Sequence, residues 1–586
     1  MEEQLAGVET VEHIDSIDKN LFKQQEELKR AALVASAALL AACGGATGTV
    51  DSNTVNPAAS TMPPPAPAPE SVSTAITASE AARFLAQASL GASRAQITRV
   101  QSLGYAGWLD EQFSLPGNGS RWDWLVSKGL TDFSFRNSES GFDATAWRKL
   151  ISSPDTLRQR FTLALSEIIV VAIDGLIGGG WKAFAAAAWL DMLEANCFGN
   201  YRDLLQLVST SPAMGTFLTF RGNIKFNPQT GALPDENYAR ELMQLFSIGL
   251  LELNPDGSPR QDAGKTKETY GLDDITGLAR IFTGWDFDLA GGKADTPDFM
   301  HRPMIQVASR HETGASSFLG KTVPAGLNGA DALKAALDII FAHANVAPFI
   351  SRQLIQRLVT SNPSPAYVTR VAAVFGNDGS GSASSRGNLK AVLKAILLDD
   401  EARKPANISN PQFGKLREPM LRFLAWARAY NATATNDTWN LGNTSDPATR
   451  LGQSPLRSPS VFNYFRPGYV PPNTAIATAA LVAPEFQITN ESSVVGYVNY
   501  MQHAVSSGIS DVTADYSSLM PLAETAPALL DEINLVLAAG QLSAATLLNL
   551  SNAVDSMPRG SDNRRKQRIY AALTLVLAAP EFIVLK

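Results

Sequence analysis

Apolar residues recur at three- and four-residue spacing along most of the chain, and they show no sustained strand-like alternation. Phe84, Leu85 and Ala88 mark a helix over 80–90, opened by the capping-box pattern Thr77-Ala78-Ser79-Glu80 and closed by Gly91. Ile97, Val100 and Leu103 mark the next, which runs from Ser93 to a stop at Gly104; Trp108, Leu109 and Phe113 mark a third. The pattern repeats from Pro154-Asp155 through Ile168, over the alanine-rich 181–198, and over 201–208, 273–283, 330–342, 346–360, 365–375, 389–398, 419–430 and 569–577. The fold class predicted is all-α, a large single multi-helical domain with little or no β, except a small hairpin within 286–323. Loops over 254–269, 286–323 and 431–475 are long. The prolines and aromatics of the last, at 451–456 and 458–469, predict an ordered wrap over the core.

The stretch 234–249, PDENYARELMQLFSIG, carries both helix-start and helix-stop signals. At 100° per residue, Tyr238, Ala239, Leu242, Met243, Leu245 and Phe246 share one arc; Glu236, Asn237, Arg240, Glu241, Gln244 and Ser247 fill the other. The apolar arc must be buried. The polar arc is either wet or turned toward a polar pocket.

Composition narrows the function classes. The 586 residues are 45% hydrophobic and 18% charged, with a net charge of −7. Without residues 1–42, 45 basic residues stand against 48 acidic ones, so nucleic acid is not an expected partner. Two cysteines, Cys43 and Cys197, are too few for a disulfide framework or a cysteine-rich zinc site. Lys29-Arg30 followed by the apolar run 31–42 has the layout of an export signal too short to span a bilayer. Leu40-Ala41-Ala42-Cys43-Gly44 resembles the lipobox of bacterial lipoproteins, which implies cleavage before Cys43 and lipidation of that cysteine. The 28 residues before Lys29 are acidic and atypical of a signal, and a misassigned start codon would explain them. Gly44 in place of an aspartate points, by the same resemblance, to the outer rather than the inner membrane. Residues 43–76, rich in Pro, Ala, Ser and Thr, read as a lipidated tether, and 77–586 as the folded domain.

Several stretches resemble one bacterial family. These are 84–109; 195–205, ANCFGNYRDLL; Ser211-Pro212-Ala213-Met214; 235–246, DENYARELMQLF; Ala279-Arg280; and Thr283-Gly284-Trp285. His311, Phe318-Leu319-Gly320, 347–352, 397–403 and Pro580-Glu581-Phe582 continue the likeness. The family is catalogued as "domain of unknown function 1800". The resemblance implies a large, mostly helical, exported bacterial protein. Such proteins are often encoded beside a second exported family that itself resembles the sulfatase and phosphatase superfamily, a possible partner protein. It implies no mechanism.

No GxSxG elbow, GxxxxGK[ST] loop, HExxH, CxxCH or EF-hand loop is present, and cofactor and metal content stay open. Candidate chemistry gathers in and after the central stretch. Glu236 and Arg240 are spaced to pair, as are Asn237 and Glu241. A carboxylate held by arginine stays ionised, while a drier one keeps its proton, so Glu236 and Glu241 are acid/base candidates that Asn237 and Arg240 orient. The same spacing also suits a solvated face of surface ion pairs. Asp274 reads as a pocket acid or a helix-start charge, and Arg280 as a substrate contact or an ordinary salt bridge. His311 is a candidate proton carrier, or a ligand in an oxygen-rich metal site with Glu241 and Asp274; a structural loop histidine has the same appearance. His343 reads as a cap or packing residue and Cys197 as buried and inert. Trp285, with Tyr464, Phe465 and Tyr469, offers a sugar- or peptide-binding surface.

The expectation is an envelope-anchored hydrolase or lyase acting on an extracellular or periplasmic polymer. Saccharide is favoured because carboxylate pairs serve glycosidic bonds. The rival is a non-catalytic lipoprotein, a partner or assembly factor for a neighbouring exported protein.

Overall fold

The alanine-rich run becomes the helix Lys182–Asn196, whose buried Ala183, Ala185, Ala186 and Ala187 give it a thin profile. Arg121–Ser127, Phe142–Ser152 and Thr156–Ser166 close around it at short range. The structure, a computed structural model, describes residues 75–290 and 293–586. The export run, Cys43 and the tether up to residue 74 lie outside the described residues. Ala78–Lys586 forms one compact unit, about half helical, and no single described helix is long and apolar enough to cross a membrane. Arg94–Ser114 runs as one helical stretch interrupted at Gly104, whose left-handed φ of 71° makes the break that the sequence marks.

Among the described residues, strands occur as two-stranded antiparallel ribbons. The 286–323 loop holds two of them, Trp285–Asp286 with Ile305–Gln306 and Ser316–Phe318 with Lys321–Val323. Lys415–Leu416 pairs with Val584–Leu585, so the end of the chain is stitched into the core.

The central helix is shorter than its pattern predicts. It spans Asn237–Gln244, and the N–H groups of Ile248 and Gly249 both return to the Met243 carbonyl, with Gly249 left-handed at φ 73°. Because the 100° spacing ends at Gln244, Ser247 leaves the expected polar arc. It is fully buried, donating to the Leu242 carbonyl, while Leu245 is half-buried. Glu241, also expected on the polar arc, is 7% exposed. On the apolar side, Tyr238 stacks on Phe220 with ring centroids 4.3 Å apart, meets Phe282 edge-on, and shares a 2.7 Å bond with Ser209.

Helix ends leave carbonyls without intrahelical partners, and here arginines meet them. Arg428 donates to the carbonyls of Leu150, Ile151 and Ser153 at the end of Phe142–Ser152. Arg386 donates to Phe341 and His343 after Gly329–Ala342, and Arg568 to Val554 and Met557 after Ala544–Asp555. A planar guanidinium reaches two or three such oxygens at once, which an ammonium cannot match. Arg428→Ala is therefore expected to lower the unfolding free energy by about 3 kcal/mol, with Arg428→Lys recovering only part, as measured by urea denaturation.

Candidate functional site

Two places in the domain hold carboxyl groups in unusual surroundings. The first is the face of Asn237–Gln244. Glu236, at the N-cap, accepts a 2.7 Å bond from Thr276 Oγ1 and faces Arg240 at 3.6 Å, so the expected i,i+4 pair forms. Glu241 differs: its Oε2 is buried without a partner, and burial raises its pKa, with Arg240 opposing the shift. The Tyr270 phenol nearby is pushed up to about 12, first by burial and then by Glu241. Asn237 does not reach Glu241. It is exposed and turns toward Thr219, because the Asp235 carboxylate holds its backbone N–H at 2.7 Å.

The other expected members are engaged elsewhere. Asp274 completes the start of Leu272–Ala279, accepting from Gly271 N at 2.8 Å and from Leu319 N at 2.6 Å, which ties the helix to a hairpin. His311 is 2% exposed; its Nδ1 lies 3.0 Å from the Thr283 carbonyl, against Gly284, where any Cβ would meet the Val307 oxygen and the His311 backbone. Arg280 faces Glu312 at 3.5 Å, and Trp285 is buried, donating to Ile281. The expected union of Asp274 and His311 with Glu241 therefore does not form, and no metal-holding cluster of three such side chains exists among the described residues. The aromatic binding surface also fails, since Trp285 and Phe465 are core residues and the Tyr464 hydroxyl bonds Ser454. His343 accepts from Asn345 N, and Cys197 is buried with its thiol pushed up to about 12; both match the structural reading.

The second place lies under the 451–469 wrap, and sequence reasoning missed it. Thr156–Ser166 ends on Glu167, and Pro419–Ala429 begins after Glu418. The charge on each carboxyl group acts on the other in a dry interior. Two neighbouring buried carboxyl groups do not both ionise readily, and the helix dipoles say which keeps its proton. Glu167 stands at a negative helix end and Glu418 at a positive one. Burial raises the pKa of Glu167 well above the usual range, and Glu418 adds to the rise. Burial also opposes charge on Glu418, but Lys415, the neutral Glu167, Arg160 and Arg357 outweigh it and hold its pKa low. Glu167 is the acid and Glu418 the carboxylate.

The surroundings agree with that assignment. Glu418 accepts from Gln453 Nε2 at 2.8 Å and from Lys415 Nζ at 3.4 Å. Neither Glu167 oxygen receives a bond from any N–H or hydroxyl, and Arg357 Nε stands off at 3.6 Å. Glu194 shows what an ordinary buried carboxylate looks like here: Arg121 at 2.6 Å and Lys149 at 2.7 Å hold it ionised. Beside Glu167 lies a cavity of about 20 Å³, room for one water, lined also by Ser454, Ser458, Asn463 and Tyr464. Ser454 Oγ and Asn463 Nδ2 are buried without partners. Leu456 and Asn463, both on the cavity wall, are left-handed at φ 49° and 62°, strain of the kind that gathers at functional sites. One signal was available in the sequence: Glu167 is a lone acid leading into the apolar run Ile168–Ala172.

The family described as "Protein of unknown function (DUF1800)" matches residues 83–584. The chain belongs to that family. No curated protein and no solved structure matches the chain. Both carboxyl sites lie inside the DUF1800 region.

Two outcomes are expected. Asp274→Ala removes a cap and a hairpin tie, so it costs about 1–2 kcal/mol in urea denaturation. For Glu167, the unfolded chain ionises near pH 4.5 while the folded chain keeps the proton. Stability relative to Glu167→Gln should therefore fall as pH rises above about 4.5, whereas a flat difference would mean that Glu167 ionises normally.

Proposed function

We propose that this protein is an envelope-anchored hydrolase whose acid–base pair is Glu167 and Glu418. The observation that carries the reading is the buried, unpartnered Glu167 carboxyl on a water-sized cavity lined by further unpartnered polar atoms, with Glu418 joined to the cavity wall through Gln453. Burial and the charge on Glu418 keep the Glu167 proton in place, while the surrounding cations keep Glu418 ionised. One is thereby poised to take a proton from water and the other to give one to a leaving group. The cavity admits water alone, so turnover requires the 457–464 loop, whose tip Pro459-Ser460 is exposed, to lift from Ser454 and Glu167. Arg457 is the latch, bonded to Glu139 at 2.6 Å and Asp143 at 2.9 Å.

A second reading places the chemistry on Glu241, with Glu236, Arg240 and Asn237 around it, and it rests on the partnerless Oε2 of that raised carboxyl. The lipobox-like 40–44 stretch supports anchoring at Cys43, on the outer-membrane side by its Gly44.

Glu167→Gln keeps a neutral side chain of the same shape but has no proton to transfer. Its melting temperature relative to the wild type should hold or rise from low to neutral pH, while the hydrolytic rate falls by at least about 10²-fold. Loss of rate with Glu241→Gln alone would move the site to the second reading. Unchanged rates in both variants, or no hydrolysis by the wild type, would leave the partner or assembly role. For the anchor, Cys43→Ala should move the protein from the membrane to the soluble fraction of a cell lysate, followed by immunoblot.

A further inference from the structure

A groove of about 980 Å³ lies between the turn at 362–366, the 399–413 segment and Leu481, a volume that suits a bound ligand. It shares no lining residue with the cavity at Glu167. Most charges on its walls are already answered. Arg370 holds Asp399 by bonds of 2.7 and 2.8 Å, and Glu401 accepts from the Ser364 N–H at 2.9 Å and from the Ser364 hydroxyl. Lys404 and Asp400 are exposed on the rim, where water screens them. Arg352 is different. It stands half-buried on the helix Val346–Leu358 and makes a single hydrogen bond among the described residues, from Nη1 to the Gly257 carbonyl at 3.2 Å. Burial draws its pKa down, and no carboxylate is near enough to oppose the shift. Other arginines that lack a carboxylate, Arg386 and Arg428, place their N–H groups on two or three helix-end carbonyls. Most of the Arg352 donors have no such use.

We propose that this groove binds a peptide segment through a carboxylate held by Arg352. The inference is independent of the reaction assigned to Glu167. A guanidinium takes both oxygens of a carboxylate in two parallel bonds, and its one charge balances the one charge of that group, whereas a phosphate would be left partly unanswered. The fork is also set in advance. Gly257, left-handed at φ 77°, lays its turn so close to the Arg352 stem that a Cβ there would stand 3.6 Å from Arg352 Cδ and 3.1 Å from Val368 Cγ1. Little side-chain freedom is then left to lose on binding. The rest of the wall favours peptide over acidic saccharide. Sugar rings lay their apolar faces on exposed aromatic side chains, but Phe413, the aromatic residue on this groove, is 5% exposed with the Arg83 guanidinium over its ring. Gln412 presents a whole amide, Asn410 an amide NH2 and Asn407 an amide oxygen, which match the donors and acceptors that alternate along a peptide backbone.

Fluorescence anisotropy with the purified full-length protein tests the proposal. The probes are a rhodamine-labelled hexapeptide of alternating alanine and glutamate, amidated at its C-terminus, the same peptide with glutamine for glutamate, and a rhodamine-labelled tetragalacturonate. The glutamate peptide is expected to bind, and the glutamine peptide to bind at least about tenfold more weakly, because the charged, forked pair is lost. Arg352→Gln should bring the glutamate peptide down to the level of the glutamine one, and Arg352→Lys should restore only part of the difference. The comparison of the two peptides needs no variant, so it decides the matter even where Arg352→Gln fails to fold. Equal binding of the two peptides, or binding of neither, would overturn the proposal. Tighter binding of tetragalacturonate than of the glutamate peptide, lost in Arg352→Gln, would overturn the peptide assignment and give the groove to an acidic saccharide.

Discussion

Lys415 has no exposed side-chain surface, and the middle of the domain is arranged around that ammonium group. It donates to the Arg357 carbonyl at 2.9 Å and faces Glu485 at 3.0 Å and Glu418 at 3.4 Å. A buried charge costs several kcal/mol unless it is met by charge and hydrogen bonds together. The groups that meet it come from the end of one helix, the start of another and a 3-10 turn, and Lys415 itself sits on the strand that pairs with Val584–Leu585. None of these segments can move alone. The price of desolvation is returned as a fixed arrangement of distant parts.

The proton on Glu167 follows from that arrangement. Lys415, Arg160 and Arg357 supply three positive charges, and Glu418 and Glu485 answer two of them as carboxylates. A third carboxylate would balance the sum, yet Glu167 lies at a helix C-terminus with no donor on either oxygen. Geometry overrides the charge count. Ionising Glu167 would put negative charge against Glu418 and against a row of helix carbonyls at once. Gln453 extends the network into the wrap, since it donates to Glu418 and accepts from Met420 N. The wrap's order is thus tied to the same charges.

The helices were legible because their signals are local. Capping residues such as Ser93, spacing such as Phe84, Leu85 and Ala88, and Gly104 as a break can all be read within a few positions. The wrap over 451–469 was legible as ordered because proline and aromatic side chains need a surface to lie on. The ribbons of the connections were barely visible, since two-residue strands carry no period. The candidate site divides the same way. Glu236 with Arg240 is a spacing rule and forms as expected. Glu167 with Glu418 joins residues 251 positions apart through helix ends facing each other, and no window of sequence contains that relation. Asp274 and His311 were misplaced for a related reason: their residue types suit catalysis, but a backbone N–H or carbonyl within hydrogen-bond reach engages them first.

The stretch that best identifies the family, 235–246, shows why a sharp motif is a poor guide to chemistry. Tyr238 must fit between Phe220 and Phe282 while reaching Ser209, and Tyr201 must place its hydroxyl on the Phe246 carbonyl at 2.7 Å. Asn345 then takes the Ile248 and Leu251 carbonyls after the helix stops. On the buried side of a helix barely two turns long, Tyr238, Ala239, Leu242 and Met243 are all enclosed, so few substitutions there would pack equally well. Such demands restrict sequence as strongly as a reaction does. The Glu167 site makes fewer of them, because a cavity with unpartnered donors is held open by its neighbours rather than filled by its own residues. Where packing already explains a motif, the physical anomaly elsewhere in the molecule is the better place to look for function.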